Sequence, residues 1–208
     1  LLSGMLCGTV GQDHLEFATI VEMIHVATLL HDDVIDQADM RRNLPTINSR
    51  HGNTAAVLLG DFLLSRAFMA GSELNNPDAG KLLCRTAEQI CQGELLQNVH
   101  QGDPLQSRST YLRIIEAKTA SLFSAGCVLG AIASKADSSS KKTLARYGRC
   151  VGMAFQITDD ILDLTGDAEK IGKTLGTDFG QRKLTLPLII YLGRMKPARR
   201  ADCFEQLS

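Results

Sequence analysis

Apolar positions recur at helical spacing along almost the whole chain. Residues 15–35 form the clearest example, because the stretch is apolar with small residues interspersed, is too long for a strand and lacks strand alternation. These features favour a buried helix. Further helices are predicted at 53–74, 79–101, 108–134, 138–164 and 184–195.

Turn-forming residues separate the predicted helices. Breaks fall at 75–80 (NNPDAG), 101–104 (QGDP) and 135–140 (KADSSS). Residues 165–183 hold four glycines among charges of both signs and form the longest predicted loop. No repeat of solenoid period is present. The sequence therefore predicts a single all-α domain over 1–208, with antiparallel helices packed as a bundle.

Composition and charge narrow the class of protein. The chain has 208 residues, 44% of them hydrophobic and 22% charged, which is a globular balance with enough length for a sizeable core. Its formal net charge of −1 lacks the basic excess of nucleic-acid-binding domains, so no nucleic-acid partner is expected. We therefore expect any anionic ligand to bind to a local cluster of Lys or Arg side chains.

Cysteine usage and hydropathy indicate the cellular compartment of the protein. Six cysteines are scattered without a CxxC pair or zinc spacing, which is typical of buried thiols in a reducing compartment. No uninterrupted apolar segment reaches about 18 residues, and the first residues lack a signal-peptide pattern. We therefore expect a cytoplasmic protein without a transmembrane segment. Since the sequence does not start with Met, we also expect an N-terminal part of the domain to lie outside it. We expect a C-terminal part outside it as well, on the family resemblance described below.

The predicted helix 15–35 ends in an acidic cluster, LLHDDVID. Asp32 and Asp36 stand at i and i+4, which are neighbours on one helix face, and Asp33 lies beside them. The carboxylates repel each other and meet the negative end of the helix dipole. Mg²⁺ is the natural counter-charge, since it takes oxygen ligands from carboxylates and phosphates. A solvated helix face is the alternative.

A second acidic cluster of the same form makes that alternative weaker. Asp159, Asp160 and Asp163 end another apolar helix in FQITDDILD. Two such clusters on a helical bundle predict facing carboxylates that hold a small group of Mg²⁺ ions between them.

Basic residues follow both acidic clusters. Arg41 and Arg42 come shortly after the first, and Lys173 and Lys183 follow the second in the glycine-containing loop. Carboxylates, divalent metal and nearby Arg or Lys side chains together describe a diphosphate site, because the metal bridges phosphate oxygens and guanidinium binds them as a fork. Surface ion pairs are the alternative for these cations.

The motifs together resemble the trans-polyprenyl diphosphate synthases, closest to long-chain types such as octaprenyl diphosphate synthases. LLHDDVID, MRRNLPT, GDFLLSRAF, GELLQ, KTASLF, FQITDDILD and GKTLGTDFGQRKLTLP occur in that family's order and cover most of the chain. The resemblance implies an isoprenoid synthase bundle around a deep apolar cavity and a homodimer. It also implies transfer of an allylic diphosphate's prenyl group to isopentenyl diphosphate, with Mg²⁺ as cofactor.

The resemblance further implies roles for individual residues. Asp32, Asp36 and Asp159 would be the foremost Mg²⁺ ligands, with Asp33, Asp160 and Asp163 as partners, direct or through water. Arg41, Lys118 and Lys183 would hold the allylic diphosphate, Arg42 would help bind isopentenyl diphosphate, Thr119 and Gln156 would face the allylic cation, and Lys173 would close over the site. For Thr119, a hydroxyl bonded to its own helix backbone is the alternative.

Residues before the first aspartates bear on product length. Short-chain members of the family carry a bulky aromatic four or five residues before the first aspartate, whereas this chain has Thr28 and Ala27 there. Ile24 and Val21 continue the same helix for about 16 Å. We therefore expect the cavity along this helix to hold a product of more than twenty carbons, about forty. Close approach of two helices is the alternative reason for the small residues.

The chain departs from the family in three respects. A Gly-Lys-Arg segment that binds isopentenyl diphosphate is expected upstream, Asn43 stands where Gly is expected, and helices are expected after the TLP segment. Two other functions remain open. A terpene cyclase shares the bundle but usually has an Asn/Ser/Glu second motif, and a non-catalytic subunit of a heteromeric synthase tends to lose aspartates.

Overall fold

The computed structural model of the chain describes residues 1–74, 76–166, 177–196, 199–200 and 202–204. It is the all-α fold expected from the sequence. The helices are α1 (Leu2–Cys7), α2 (Gln12–Ile35), α3 (Ile47–His51), α4 (Asn53–Glu73), α5 (Pro77–Val99), α6 (Arg108–Ile115), the π-helix π1 (Glu116–Ala120), α7 (Ser121–Ala133), α8 (Ser138–Thr165), α9 (Thr177–Gly180) and α10 (Leu186–Gly193), and strands β1 (Met40–Arg41) and β2 (Leu44–Pro45) form a hairpin.

The six helices predicted from periodicity are all present. The predicted helix 108–134 is a single rod that passes from α6 through π1 into α7. Helices α1, α3 and α9 and the hairpin were not predicted, because segments of two to six residues are too short to display a helical or strand period.

Side-chain caps explain why three of the helices begin where they do. Asn76 accepts a hydrogen bond from the backbone N–H of Ala79 (3.1 Å) at the start of α5. Ser107 and Asp137 do the same for the first turns of α6 and α8. Each cap satisfies a backbone donor that has no partner inside the helix. Asn76 and Asp137 lie within the breaks predicted at 75–80 and 135–140, and Ser107 follows the break predicted at 101–104.

The hairpin explains why Asn stands at position 43. Only Arg42 and Asn43 connect β1 to β2, and both have positive φ, 50° and 61°. A two-residue hairpin turn requires left-handed backbone, which Gly adopts freely and Asn tolerates better than most residues. Asn43 therefore fills the position of the expected Gly without losing the turn. The turn brings Arg41 back towards the end of α2.

The core is built on one face of α2. Phe17, Ile20 and Ile24 are buried in a cluster that also includes residues of α4, α5 and α7. A second apolar cluster contains Tyr111, Ile115 and residues from 184 to 204. The neighbouring face of α2 lines a cavity, and Phe17 lies at the boundary between the two faces.

Two helices in the part of the chain that the structure describes meet the length and composition of a membrane span. They are Asn53–Glu73 and Arg108–Ala133, and only 22% of the apolar window in the first is buried in the fold. Core helices of globular proteins pass the same test, so it is weak evidence for a membrane. The absence of a transmembrane segment stays a prediction.

Candidate active site

A deep cavity of about 1400 Å³ runs along α2. The α2 residues that line it recur every three or four positions, so they form one face of the helix. The opposite walls come from α6, π1, α7 and α8. The lining residues of α2 that form this stripe are His14, Phe17, Ala18, Val21, Glu22, His25, Thr28, Leu29, Asp32 and, just after the helix, Asp36.

Aspartates from two helices meet at one end of this cavity. Asp32 and Asp36 lie on one wall, and Asp159 and Asp160 of α8 lie on another. The other end is lined mainly by apolar residues such as Phe17 and Leu129, together with the polar residues His14 and Glu22. The two acidic clusters predicted from the sequence therefore share one cavity.

The remaining two aspartates of the clusters are buried beside the cavity. Asp33 is only 5% exposed and accepts from Arg41 Nε (2.8 Å), with Arg41 Nη2 at 2.7 Å. Asp163 accepts from the backbone N–H of Asp178 (3.3 Å) at the start of α9. Position i+1 of a helix points about 100° away from position i, which explains why Asp33 leaves the stripe. Their predicted contact with Mg²⁺ stays a prediction.

Lysines pair with the carboxylates that line the cavity. Lys183 Nζ lies 2.7 Å from Asp36 Oδ1, and Lys118 Nζ lies 3.8 Å from Asp32 Oδ1 while also contacting Glu94. Arg42 lines the cavity as well. Opposite charges at this separation in a partly buried site attract strongly. The structure thus brings predicted cations and carboxylates together, while Lys173 lies outside the described residues.

The pKa values of this group reflect its burial. Burial raises the pKa of Asp32 to about 6, with Glu94 and Asp36 acting in the same direction and Lys118 opposing them. Burial lowers the pKa of Lys118, but Asp32 and Glu94 more than offset this and leave it above its usual value. Negative charge is therefore costly here unless cations are close.

Two glycines determine how Lys118 and Thr119 are presented. Both residues lie in π1, and a π-helix inside an α-helical rod is often found at a functional site. A Cβ on Gly93 of α5 would lie 2.5 Å from the backbone N of Lys118, and a Cβ on Gly152 of α8 would lie 2.6 Å from Ala120 Cα. The segment is held between two helices that approach as closely as glycine allows.

Four side chains form a hydrogen-bonded chain at the acidic end. Thr119 Oγ1 donates to Gln156 Oε1 (2.8 Å), and Gln156 Nε2 donates to Asp160 Oδ1 (2.8 Å). Tyr111 Oη donates to Asp160 Oδ2 (2.6 Å). The single hydroxyl proton of Thr119 is therefore used towards Gln156 and not towards its own helix backbone.

Sequence reasoning missed three residues of this site. Glu94 and Asp178 belong to segments that resemble the family, Tyr111 does not, and none of the three repeats a spacing that identifies its role. Tyr111 stands at an apolar position of α6, where a core tyrosine is the simplest interpretation. Asp178 lines the cavity from a stretch that the sequence predicts as loop.

The predicted chain-length residues divide between the two faces of α2. Val21 and Thr28 line the cavity, and the Thr28 hydroxyl donates to the backbone carbonyl of His25 (2.8 Å). Ala27 and Ile24 are both 0% exposed and do not line the cavity. The structure therefore brings Val21 and Thr28 to the cavity wall and does not bring Ala27 and Ile24 there, because the helix turns these two towards the core.

The donor set suits Mg²⁺ chemically. Carboxylate oxygens from α2 and α8 are the hard ligands that Mg²⁺ prefers, and they face one cavity. In the ranges that the structure describes, no three His, Cys, Asp or Glu side chains form a metal-binding group. A metal held here would therefore take part of its ligands from phosphate or water, as Mg²⁺ usually does.

A helical bundle around a cavity with two facing aspartate motifs defines the isoprenoid synthase class of fold. Within that class, the model of the Polyprenyl synthetase family matches residues 1–207 of this chain. The chain belongs to this family.

Individual relatives agree with that assignment. The chain is 40% identical to an octaprenyl diphosphate synthase of Escherichia coli over 91% of its own length and 58% of the relative's. It is 44% identical to heptaprenyl diphosphate synthase component 2 of Geobacillus stearothermophilus, over 93% of this chain and 62% of that one. The chain thus spans about three-fifths of the length of these two relatives.

A solved structure is equally similar. A polyprenyl synthase of Caulobacter crescentus, complexed with calcium and isoprenyl diphosphate, has a TM-score of 0.92 and 40% sequence identity. The alignment covers 98% of this chain and 62% of that protein. The fold is therefore that of an isoprenoid synthase over nearly all of the chain.

The raised pKa of Asp32 predicts a pH-dependent effect of Asp32→Asn in EDTA. A carboxyl group with a folded pKa of about 6, against 3.8 unfolded, favours folding below pH 3.8, and this contribution is lost as pH rises through 6. We expect the isosteric amide to raise the free energy of unfolding by about 1 kcal/mol at pH 8 and to change it little at pH 4.

Urea denaturation at both pH values measures this effect. Asp13→Asn removes the same charge from an exposed position of α2 and is the control, for which no gain at pH 8 is expected. Equal effects of Asp32→Asn at pH 4 and pH 8 would contradict the prediction.

Proposed function

We propose that this chain forms the catalytic part of a trans-polyprenyl diphosphate synthase. The enzyme condenses isopentenyl diphosphate head to tail with an allylic diphosphate. The observation that carries the proposal is the cavity itself, with aspartates of two helices and Lys118 and Lys183 at one end and apolar walls at the other. Such a cavity suits a substrate with an anionic head and a hydrocarbon tail.

The diphosphate head lies at the acidic end. Arg41, Lys118 and Lys183 hold the allylic diphosphate, and the exposed Arg42 contributes to binding isopentenyl diphosphate. About two or three Mg²⁺ ions, held by Asp32, Asp36 and Asp159, would neutralise diphosphate oxygens and stabilise the leaving group. Calcium and isoprenyl diphosphate in the related Caulobacter protein support the use of a divalent metal.

The reaction starts with ionisation of the allylic substrate. Its C–O bond breaks, and the electron pair leaves with the diphosphate, whose negative charge Lys118, Lys183 and Arg41 stabilise. A pair of unit charges at 4 Å is worth about 4 kcal/mol at an effective dielectric constant near 20, so several cations together lower the barrier substantially. Asp33 contributes by orienting Arg41 through its ion pair.

Condensation follows at the allylic carbon. The π electrons of the isopentenyl double bond form the new C–C bond, and a proton is then lost to the released diphosphate, which restores a double bond. Gln156 Oε1 and the Thr119 hydroxyl oxygen are the negative ends of bond dipoles. They stabilise the cation without acting as nucleophiles. The apolar walls exclude water, which would otherwise trap the cation.

The growing tail extends along the stripe of α2 that lines the cavity. Thr28 and Val21 are the first small residues below Asp32 on this face, and the wall continues to His14. From Asp32 to His14 is about 27 Å of helix at 1.5 Å per residue, which favours a product longer than twenty carbons, of about forty.

An exposed apolar face supports a homodimer. Leu58 and Phe62 of α4 are 62% and 59% exposed, and Met69 continues the same helix face. Contiguous apolar surface of this kind usually marks an interface. We propose that a second copy covers it. The name of the Geobacillus relative, component 2 of a heptaprenyl synthase, makes a different subunit the alternative occupant.

The alternative functions are weaker. The second motif keeps the aspartate form DDILD, which favours chain elongation over a terpene cyclase. All six aspartates are present, which favours a catalytic over a non-catalytic subunit of a heteromeric synthase.

We also propose that the enzyme acts in the cytoplasm and delivers its apolar product to a membrane.

The first test of this proposal uses the full-length protein with farnesyl and isopentenyl diphosphates and Mg²⁺. We expect a polyprenyl diphosphate to form, and Asp159→Ala to lower turnover by at least about 10³-fold, because the leaving group loses its stabilisation. Chromatography of the products measures both. Mg²⁺ with diphosphate should raise the melting temperature of the wild type and not of Asp159→Ala.

Asp13→Ala is the matched control and should behave as the wild type. A hydrocarbon formed without isopentenyl diphosphate would indicate a cyclase. Activity that appears only on addition of another subunit would indicate a heteromer. No product and no stabilisation by Mg²⁺ with diphosphate would contradict the proposal.

The second test concerns product length. We expect Thr28→Phe to block the cavity about 6 Å below Asp32 and to shorten the product to about fifteen to twenty carbons. Val21→Phe lies about 16 Å below Asp32 and should give a product of intermediate length. Chromatography of products from the three proteins measures their lengths.

Ala27→Phe is the control for this series, because Ala27 is fully buried and does not line the cavity. It should lower the melting temperature by overpacking without selectively shortening the product. Equal lengths from wild type and Thr28→Phe, or shortening by Ala27→Phe alone, would contradict the assignment of the wall.

The third test concerns assembly. We expect the wild type to sediment as a dimer and the double variant Leu58→Asp/Phe62→Asp as a monomer, because charges would be buried against an apolar partner. Sedimentation equilibrium measures the masses. Leu105→Asp, at an exposed apolar residue in a turn outside α4, is the control. A dimeric double variant would exclude this face, and a monomeric wild type would favour the heteromeric alternative.

A further inference from the structure

Tyr111 is a buried polar residue to which the proposed reaction assigns no role. It is 3% exposed, and its hydroxyl donates to Asp160 Oδ2 at 2.6 Å. Asp160 is itself 4% exposed and uses its other oxygen, Oδ1, to accept from Gln156. Tyr111 thus reaches Gln156 through one intervening carboxylate.

The direction of the Gln156 amide depends on that carboxylate. An amide group presents either its C=O or its NH₂ to a neighbour, and an ionised carboxylate only accepts hydrogen bonds. Gln156 must therefore turn its NH₂ group to Asp160, which directs Oε1 to the other side. There Oε1 accepts from Thr119 at the cavity wall.

We propose that Tyr111 is a positioning residue that fixes the rotamer of Asp160 and, through it, the orientation of the Gln156 amide. The inference rests on the proposed function, in which Gln156 Oε1 faces the allylic cation. An amide turned the other way would present N–H groups with partial positive charge to a carbocation. Correct orientation therefore matters for the charge that develops in the transition state and little for binding the diphosphate.

The elements that carry the four side chains support a positioning role. Tyr111 lies on α6, Thr119 on π1, and Gln156 and Asp160 lie one turn apart on α8. The hydrogen bonds tie α6 to α8 at the level where π1 presents Thr119. Without the Tyr111 hydroxyl, Asp160 Oδ2 loses this donor, and the hydrogen bond that ties the carboxylate to α6 is gone. The Gln156 NH₂ group then bonds to a carboxylate that is held less tightly.

Tyr111→Phe tests the inference because it keeps the ring and removes only the hydroxyl. We expect kcat to fall about tenfold, as for loss of one hydrogen bond to a charged group, with KM for both diphosphates changed less than twofold. In the Gln156→Ala background the same substitution should have no further effect on kcat, because its target is gone. Tyr147→Phe, at an exposed tyrosine of α8, is the matched control.

A second measurement does not depend on activity. In ¹⁵N-labelled full-length protein, the side-chain NH₂ signal of Gln156 is assigned by its loss in Gln156→Ala. We expect its hydrogen exchange to accelerate about tenfold in Tyr111→Phe and to stay unchanged in Tyr147→Phe. If Tyr111→Phe fails to fold, Asp160→Asn removes the same restraint and should accelerate exchange equally.

The outcomes separate the two proposals. An active wild type with unchanged kcat and unchanged Gln156 exchange in Tyr111→Phe would overturn the positioning role alone. Additive losses in Tyr111→Phe and Gln156→Ala would do the same, because they would indicate independent actions. A wild type that makes no product, but whose Gln156 exchange responds to Tyr111→Phe, would overturn the proposed function while supporting the orientation of the amide.

Discussion

Several partly buried carboxylates share one end of the cavity, and the rest of the structure depends on how their charge is balanced. Lys118 and Lys183 pair with Asp32 and Asp36, and Arg41 pairs with the buried Asp33. Each cationic side chain is positioned by an irregular local structure or belongs to a segment late in the sequence. The hairpin returns Arg41, the π-helix presents Lys118, and the segment before α10 supplies Lys183. Irregular backbone is concentrated where charge must be placed accurately.

The long helices could be predicted from the sequence because their period is visible over several turns. The shared cavity could also be anticipated, since two aspartate motifs at the ends of apolar helices repel within themselves and are best accommodated around common cations. The faces of individual residues were harder. Ala27 and Thr28 are adjacent in sequence, yet one is buried in the core and the other lines the cavity. A rotation of about 100° per residue separates them, and sequence spacing alone gives no absolute orientation.

Roles that arise from long-range contacts were not visible in the sequence. Tyr111 meets Asp160 across 49 positions and Thr119 meets Gln156 across 37. Neither pair has a local spacing that signals a hydrogen bond. Asp33 and Asp163 illustrate the converse, because an acidic motif groups residues that the fold then separates. Two members face the cavity while a third holds Arg41 or the start of α9 in place.

The stripe along α2 has a consequence for how this family diversifies. One face of a single helix carries carboxylates at its end and the wall of the cavity along its length, so in the proposed function the same helix would bind the diphosphate head and limit the length of the tail. Positions along this face are spaced by helical turns of about 5.4 Å, and a bulky residue at any of them would shorten the cavity without changing the aspartates. Under the proposed function, single substitutions would therefore change product length while the diphosphate site stayed the same. A new product would then require no new fold and no new catalytic residue.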